Sequence, residues 1–112
     1  MTEKITVDLG SVQKTLFLPL WGRAVESECD QPELVDKTAV EIIKKLAMDF
    51  STLAGKMDDL TKIAWVRRSL IMDQRIRRFL RRHPGGTVIN IGCGLDTTCD
   101  RVDNGLLHWY DL

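Results

Sequence analysis

Apolar positions along this chain change their spacing at residue 86. From Pro32 to about Phe50, Leu34, Ala39, Ile42, Ile43, Leu46 and Ala47 recur at near-helical intervals, the mark of an amphipathic helix. From Asp58 or Asp59 to about Arg82 a longer helix is predicted, with Leu60, Ile63, Ala64, Leu70, Ile71, Ile76, Phe79 and Leu80 as its inner stripe. Either aspartate can cap its start, and His83-Pro84-Gly85-Gly86 stops it. Beyond that point Val88, Ile89 and Ile91 form a short β-branched run, apolar on both faces, as in the interior of a sheet. A second run from Leu106 to Tyr110, after an Asn104-Gly105 turn, reads as another strand. A short helix near Thr97 to Arg101 falls between the two.

The beginning of the chain is less regular. Ile5, Val7 and Leu9 alternate, as in a strand or a docked extended arm. Ser11 is placed to cap a helix carrying Val12, Leu16 and Phe17. Pro19 is expected to end or kink that helix, and a polar loop should follow Ala24 as far as Pro32. Ser51 to Lys56 reads as a loop.

Composition changes this picture little. The apolar fraction of 44% allows a real core. Sixteen basic residues balance sixteen acidic ones, so overall charge favours no polyanionic partner. Seven arginines between Arg67 and Arg82 spread around their helix and suit its C-terminal end, which speaks for a solvated helix and against a nucleic-acid surface. Cys29, Cys93 and Cys99 are odd in number and lack zinc-type spacing, so a reduced, cytoplasmic chain is the simpler reading. His83 and His108 are too few and too scattered for a metal site. No signal peptide or membrane span is read from the sequence.

The candidate chemistry lies in Thr87 to Asp111. The strand runs into Gly92-Cys93-Gly94, then Leu95-Asp96-Thr97-Thr98. Glycine lets the backbone turn sharply and lets a ligand approach it closely. The N–H groups at a helix start lack partners and point towards whatever sits over the loop. Asp111 lies 19 residues after Gly92, close to the ~20 expected between a nucleotide-binding glycine loop and the acid that holds a ribose hydroxyl. A dinucleotide fingerprint has a third glycine where this chain has Thr97, which disfavours a nicotinamide cofactor.

The stretch VINIGCGLDTT, with Arg101 after it and Trp109-Tyr110-Asp111 at the second strand's end, resembles class I S-adenosylmethionine-dependent methyltransferases. More narrowly it resembles the leucine carboxyl methyltransferase and polyketide O-methyltransferase family, and Arg23-Ala24, Glu26 and Asp36 fit the order of residues there. The resemblance implies S-adenosylmethionine as cofactor and a carboxylate or hydroxyl group, on a small molecule or peptide, as methyl acceptor. It implies cofactor contacts at Gly92, Cys93, Gly94 and Asp96, with Cys93 as a small residue under the ligand and Asp96 also free to cap the short helix. An arginine on the helix leading into the loop meets the cofactor's carboxylate in that family. Arg68 matches it, or Arg67 if the register differs by one, and the alternative for Arg68 is an ion pair with Asp73 or Glu41. Arg23 is either a further contact or a tie between the N-terminal segment and the sheet. The family ends its second strand aromatic, acid, hydrophobic, acid. Asp111 matches the first acid, and the second falls beyond Leu112.

The fold expected is therefore α/β: a helical N-terminal arm over residues 1–86, then over 87–112 the first β-α-β unit of a Rossmann-like methyltransferase sheet, incomplete. By this reading the chain is an N-terminal part of such an enzyme, inactive alone, with a weak or incomplete cofactor site. The alternative is a non-catalytic interaction module, or half of a split protein, pairing through its sheet edge. An unpaired apolar edge invites self-association or a partner chain.

Overall fold

The computed structural model describes residues 3, 4, 6, 16–46, 55 and 58–112. Along them run α1 (Phe17–Ser27), α2 (Lys37–Lys45), α3 (Asp59–Arg82), β1 (Thr87–Asn90), α4 (Thr98–Val102) and β2 (His108–Asp111). The alternation of Ile5, Val7 and Leu9 and the cap expected at Ser11 lie outside the described residues, as does the end of the second predicted helix beyond Leu46.

Pro19 starts a helix and does not break one. It sits in the first turn of α1, where N–H groups have no partner inside the helix, so its missing donor costs nothing. The polar loop expected after Ala24 begins only after Ser27 for the same reason: the helix starts later and runs on. Phe17, Leu20 and Ala24 share one face of α1 and pack with Ala39 and Leu46. Leu20 is fully buried, a contribution of about 2 kcal/mol. Leu95, from the loop after β1, packs against the same cluster. The core that holds α1 to α2 therefore also holds the glycine loop.

The second helix is shorter than the periodicity predicts. It begins after Asp36, whose carboxylate accepts from the Ala39 N–H at 3.0 Å. Pro32 to Val35 stays outside the helix, because the cap sits at Asp36 and satisfies the first orphan donors there.

The third helix is as long as expected, and of its two candidate caps Asp58 is the one used, accepting from the Thr61 N–H at 2.8 Å. Its predicted inner stripe holds at Leu80, which is buried, and in part at Leu70 and Ile76, which are half-buried, and fails at its other positions. Leu60 is 73% exposed, and Ile63, Ile71 and Phe79 are exposed as well. Its buried residues are Val66, Asp73 and Leu80, seven apart, one above another after two turns. The helix rests on its neighbours along a narrow line, and among the described residues nothing covers a wider apolar face.

Strands β1 and β2 pair in parallel, Thr87 opposite His108 and Asn90 opposite Asp111, with α4 between them. This is a β-α-β unit of mixed α/β type. The buried strand expected at 88–91 is not buried: Ile89 is 57% and Ile91 82% exposed. Among the described residues the sheet has two strands, and neither a third strand nor a further helix covers those side chains. No helix among the described residues is long and apolar enough to cross a membrane.

The Asp58 cap yields a pH dependence. Its hydrogen bonds from Thr61 hold the carboxyl below its ordinary value. A depressed folded-state value means the contribution is present above the unfolded value and lost as pH falls through the folded one. The melting temperature of Asp58→Ala should therefore lie below wild type at neutral pH and converge with it in acid. A gap that persists unchanged at pH 2 would contradict the cap.

Candidate functional site

A cleft of about 390 Å3 opens between α1, α3 and the loop after β1, within the range of small-ligand pockets, roughly 300–1,000 Å3. One wall is the loop itself, Gly92 to Asp96. Facing it are Leu16, Leu20 and Arg23 on the α1 side, and Arg68 and Met72 on α3. Gly92 and Gly94 both adopt positive φ, 67° and 53°, which residues with a Cβ adopt only under strain. Two glycines therefore make the turn that bounds the cleft.

Six of the seven candidate residues from the sequence meet at this cleft: Arg23, Arg68, Gly92, Cys93, Gly94 and Asp96. Arg68 has no ion-pair partner among the described residues. Neither acid expected to pair with it does so: Asp73 is taken by Arg101, and no pair joins Arg68 to Glu41. Arg67 instead makes an exposed bridge to Glu33 at 2.9 Å and is absent from the cleft wall, which Arg68 lines. Asp111 is the exception. Its carboxylate is exposed, accepts from the Trp109 indole N–H at 2.7 Å and does not line the cleft.

The loop donors also differ from expectation. The N–H groups of Gly92 and Cys93 donate to the Leu112 carbonyl, at 2.9 and 3.2 Å, while the Leu112 N–H donates to the Asn90 carbonyl. These bonds extend the parallel ladder past β2, so both donors serve the sheet and are not aimed into the cleft. Asp96 stands one residue before the N-cap Thr97 of α4 and closes a turn there: one carboxylate oxygen accepts from the Thr98 N–H and hydroxyl, and the other accepts from the Asn90 amide at 2.7 Å.

Behind the loop lies a buried charge network that motif spacing does not reveal. Asp36 and Asp73 are each 1% exposed. Arg23 donates through Nε to Asp36 Oδ2 at 3.0 Å and through Nη2 to the Leu95 carbonyl at 3.2 Å. Arg23 is thus the tie between α1 and the loop, as well as part of the cleft wall. Arg101 donates to both oxygens of Asp73, at 2.7 and 3.0 Å, and to Asp36 Oδ2 at 2.8 Å. The Thr97 hydroxyl also donates to Asp36. Two guanidiniums on two carboxylates balance in charge, and each buried side-chain polar atom among the described residues has a partner, the condition under which such burial is tolerated. Burial alone would lower the Arg101 pKa, but the hydrogen bonds and charge of Asp73, then the charges of Asp36 and Asp96, outweigh it and hold it above its ordinary value. One signal in the sequence could have pointed to the network: Asp73 falls on the line of Val66 and Leu80, an acid on an apolar stripe.

Of the thiols, Cys29 is exposed, while Cys93 and Cys99 are partly covered. Burial, then Asp103, Asp100 and Asp111, push the Cys99 thiol up, which keeps it protonated and a poor nucleophile. No group of residues able to hold a metal ion occurs among the described residues.

The chain is similar to two methyltransferases. It is 32% identical over 108 residues to the tetracenomycin polyketide synthesis O-methyltransferase of Streptomyces glaucescens, covering 96% of this chain and 39% of that protein. It is 29% identical over 106 residues to an S-adenosyl-L-methionine-dependent methyltransferase of Gibberella zeae, covering 89% of this chain and 36% of that protein. The chain thus spans less than two fifths of the length of these curated relatives. No family model matches it, and no solved structure matches it significantly.

Proposed function

We propose that this homologue of methyltransferases carries the methionine-binding side of an S-adenosylmethionine site, in the front part of a Rossmann-like O-methyltransferase fold. The observation that supports this best is the pairing of Arg68 with the glycine loop across one cleft. Arg68 brings a planar fork suited to a carboxylate, and no acid among the described residues occupies it. Gly92, Cys93 and Gly94 offer a rim without bulky side chains, and Leu16, Leu20 and Met72 offer apolar surface for the cofactor's methylene chain. The residues present fit the amino-acid end of the cofactor. They do not supply its ribose end, since Asp111 lies off the cleft.

When bound, the cofactor supplies an activated methyl group for transfer to a carboxylate or hydroxyl oxygen of a small-molecule or peptide acceptor. Catalysis of this kind rests on positioning. The acceptor pocket has no counterpart in this cleft, so turnover is assigned to a fold completed by further strands and helices. Such a fold also accounts for the exposed Ile89 and Ile91, which read as sheet-interior positions awaiting cover. Additional chain in a longer protein, a second copy or a partner chain would each supply that cover, so self-association belongs to the same proposal.

Titration calorimetry with S-adenosylhomocysteine and with NAD tests the reading. S-adenosylhomocysteine should bind the more tightly. Arg68→Ala should weaken it by about tenfold, the loss of one hydrogen bond to a charged group, while Arg67→Ala, at an exposed pair, should change little. Equal or tighter binding of NAD would overturn the assignment.

A further inference from the structure

We infer that Arg101 is a positioning residue: from behind the glycine loop it sets the conformation of Thr97 and Thr98, and through them the carboxylate of Asp96 on the cleft wall. The inference rests on the reading of the cleft as a cofactor site and extends it to a residue that does not line the cleft.

The geometry carries it. A guanidinium has five N–H donors in one plane. Arg101 directs them at five acceptor atoms: Asp73 Oδ2 and Oδ1, Asp36 Oδ2, Thr97 Oγ1 at 2.6 Å and Thr98 Oγ1 at 3.3 Å. With its side chain 6% exposed and both carboxylates 1% exposed, the group has no freedom to turn. Its orientation passes outward. The Thr98 hydroxyl, accepting from Arg101, must send its own proton elsewhere, and it donates to Asp96 Oδ1 at 2.7 Å. Asp96 Oδ2 accepts from Asn90 at the end of β1. A continuous chain of hydrogen bonds therefore runs from Asp73 on α3 through Arg101, Thr98 and Asp96 to the sheet.

A purely stabilising role explains less. A buried ion cluster is weak evidence for stability, because apolar side chains of similar volume often hold elements together as well. A guanidinium adds direction. Lysine, a point charge with three mobile donors, keeps the charge and loses the fork.

The test uses Arg101→Lys, with Leu80→Ala as a control that loosens the buried line of α3 away from the loop. Backbone amide hydrogen exchange at residues 92–98 is read without ligand, and affinity for S-adenosylhomocysteine is read by calorimetry. Arg101→Lys should speed exchange at 92–98 more than elsewhere and weaken binding by about tenfold, comparable to one charge-assisted hydrogen bond. Leu80→Ala should lower the melting temperature without either effect. Should Arg101→Lys fail to fold, Thr98→Val interrupts the chain at one hydroxyl and leaves the ion pairs intact, and it should show the same two changes with a near wild-type melt. Unchanged exchange at 92–98, or faster exchange with unchanged affinity, overturns the inference. A wild-type protein that binds no S-adenosylhomocysteine removes the cofactor reading alone. The exchange measurement then decides the positioning role by itself, faster exchange at 92–98 supporting it and unchanged exchange overturning it.

Discussion

Asp36→Ala should cost this protein more stability than any other single substitution in the buried network or the glycine loop. One carboxylate accepts from Arg23, Arg101 and Thr97 and, through its other oxygen, from the Ala39 N–H that begins α2. Removing it leaves the buried Arg23 guanidinium without an acid and Arg101 with Asp73 alone. Breaking a buried pair in this way costs about 3–5 kcal/mol, and losing the helix cap adds about 1 kcal/mol. Whole domains are stable by only about 5–15 kcal/mol, so the variant should melt at least about 15 °C below wild type or be unfolded at room temperature. Asp36→Asn keeps the cap and the volume while losing the charge, and should fall between the two. Thermal melts followed by circular dichroism measure this. A melt of Asp36→Ala within a few degrees of wild type would show that solvent relieves the network, contrary to its burial.

Gly94→Val should have the largest effect on ligand binding while leaving the helices in place. Gly94 sits at φ 53°, a conformation that costs a β-branched residue about 1–3 kcal/mol. A Cβ there would also lie 3.7 Å from Cδ2 of Leu16, a cleft-lining side chain, so the valine methyls would enter the cleft. The loop must shift or the cavity must shrink, and either should weaken S-adenosylhomocysteine by about 10–100-fold. Gly92 provides the contrast: nothing lies within 4 Å of a Cβ added there, so Gly92→Ala meets backbone strain alone and should weaken binding less. If Gly94→Val keeps its helical signal and binds as wild type does, the loop is not the site.

Local signals explain what could be read in advance. The long helix, its cap at Asp58 and the strand, glycine loop, short helix and strand after it all rest on contacts within a few residues. Periodicity and turn chemistry report such contacts well. Pro19 misled because proline has opposite meanings in the first turn and in the interior of a helix, and the start of α1 set which applied. The inner stripe of α3 and the burial of β1 misled for another reason. Ile63, Ile71, Ile89 and Ile91 carry the pattern of covered positions, yet a pattern does not supply the surface that covers them. At the site, turn chemistry points to the glycines, and the family resemblance to Arg68, Asp96 and Arg23; all of them line the one cleft. Asp111 is placed by its distance from the glycine loop, yet it does not line the cleft. The charge network escaped because its members come from separate segments: the resemblance marks Arg23, Asp36 and Arg101 one by one, Asp73 breaks an apolar line, and nothing in the sequence pairs them.

The distance in sequence between those members governs how the chain folds. Arg101 reaches Asp36 across 65 residues, and Arg23 reaches the Leu95 carbonyl across 72. Closing a loop of that length costs about 4 kcal/mol of chain entropy before any of its bonds are gained, and contacts of such separation form slowly. The α1–α2 pair and the β-α-β unit can each gather early. Their joining waits for Arg101, which is synthesised after every other member of the network. Arg23 and Asp36, 13 residues apart, can pair within the α1–α2 unit, but the cleft also needs α3 and the glycine loop. Binding competence should therefore come late in folding, and a ligand that fills the cleft should slow unfolding more than it speeds folding.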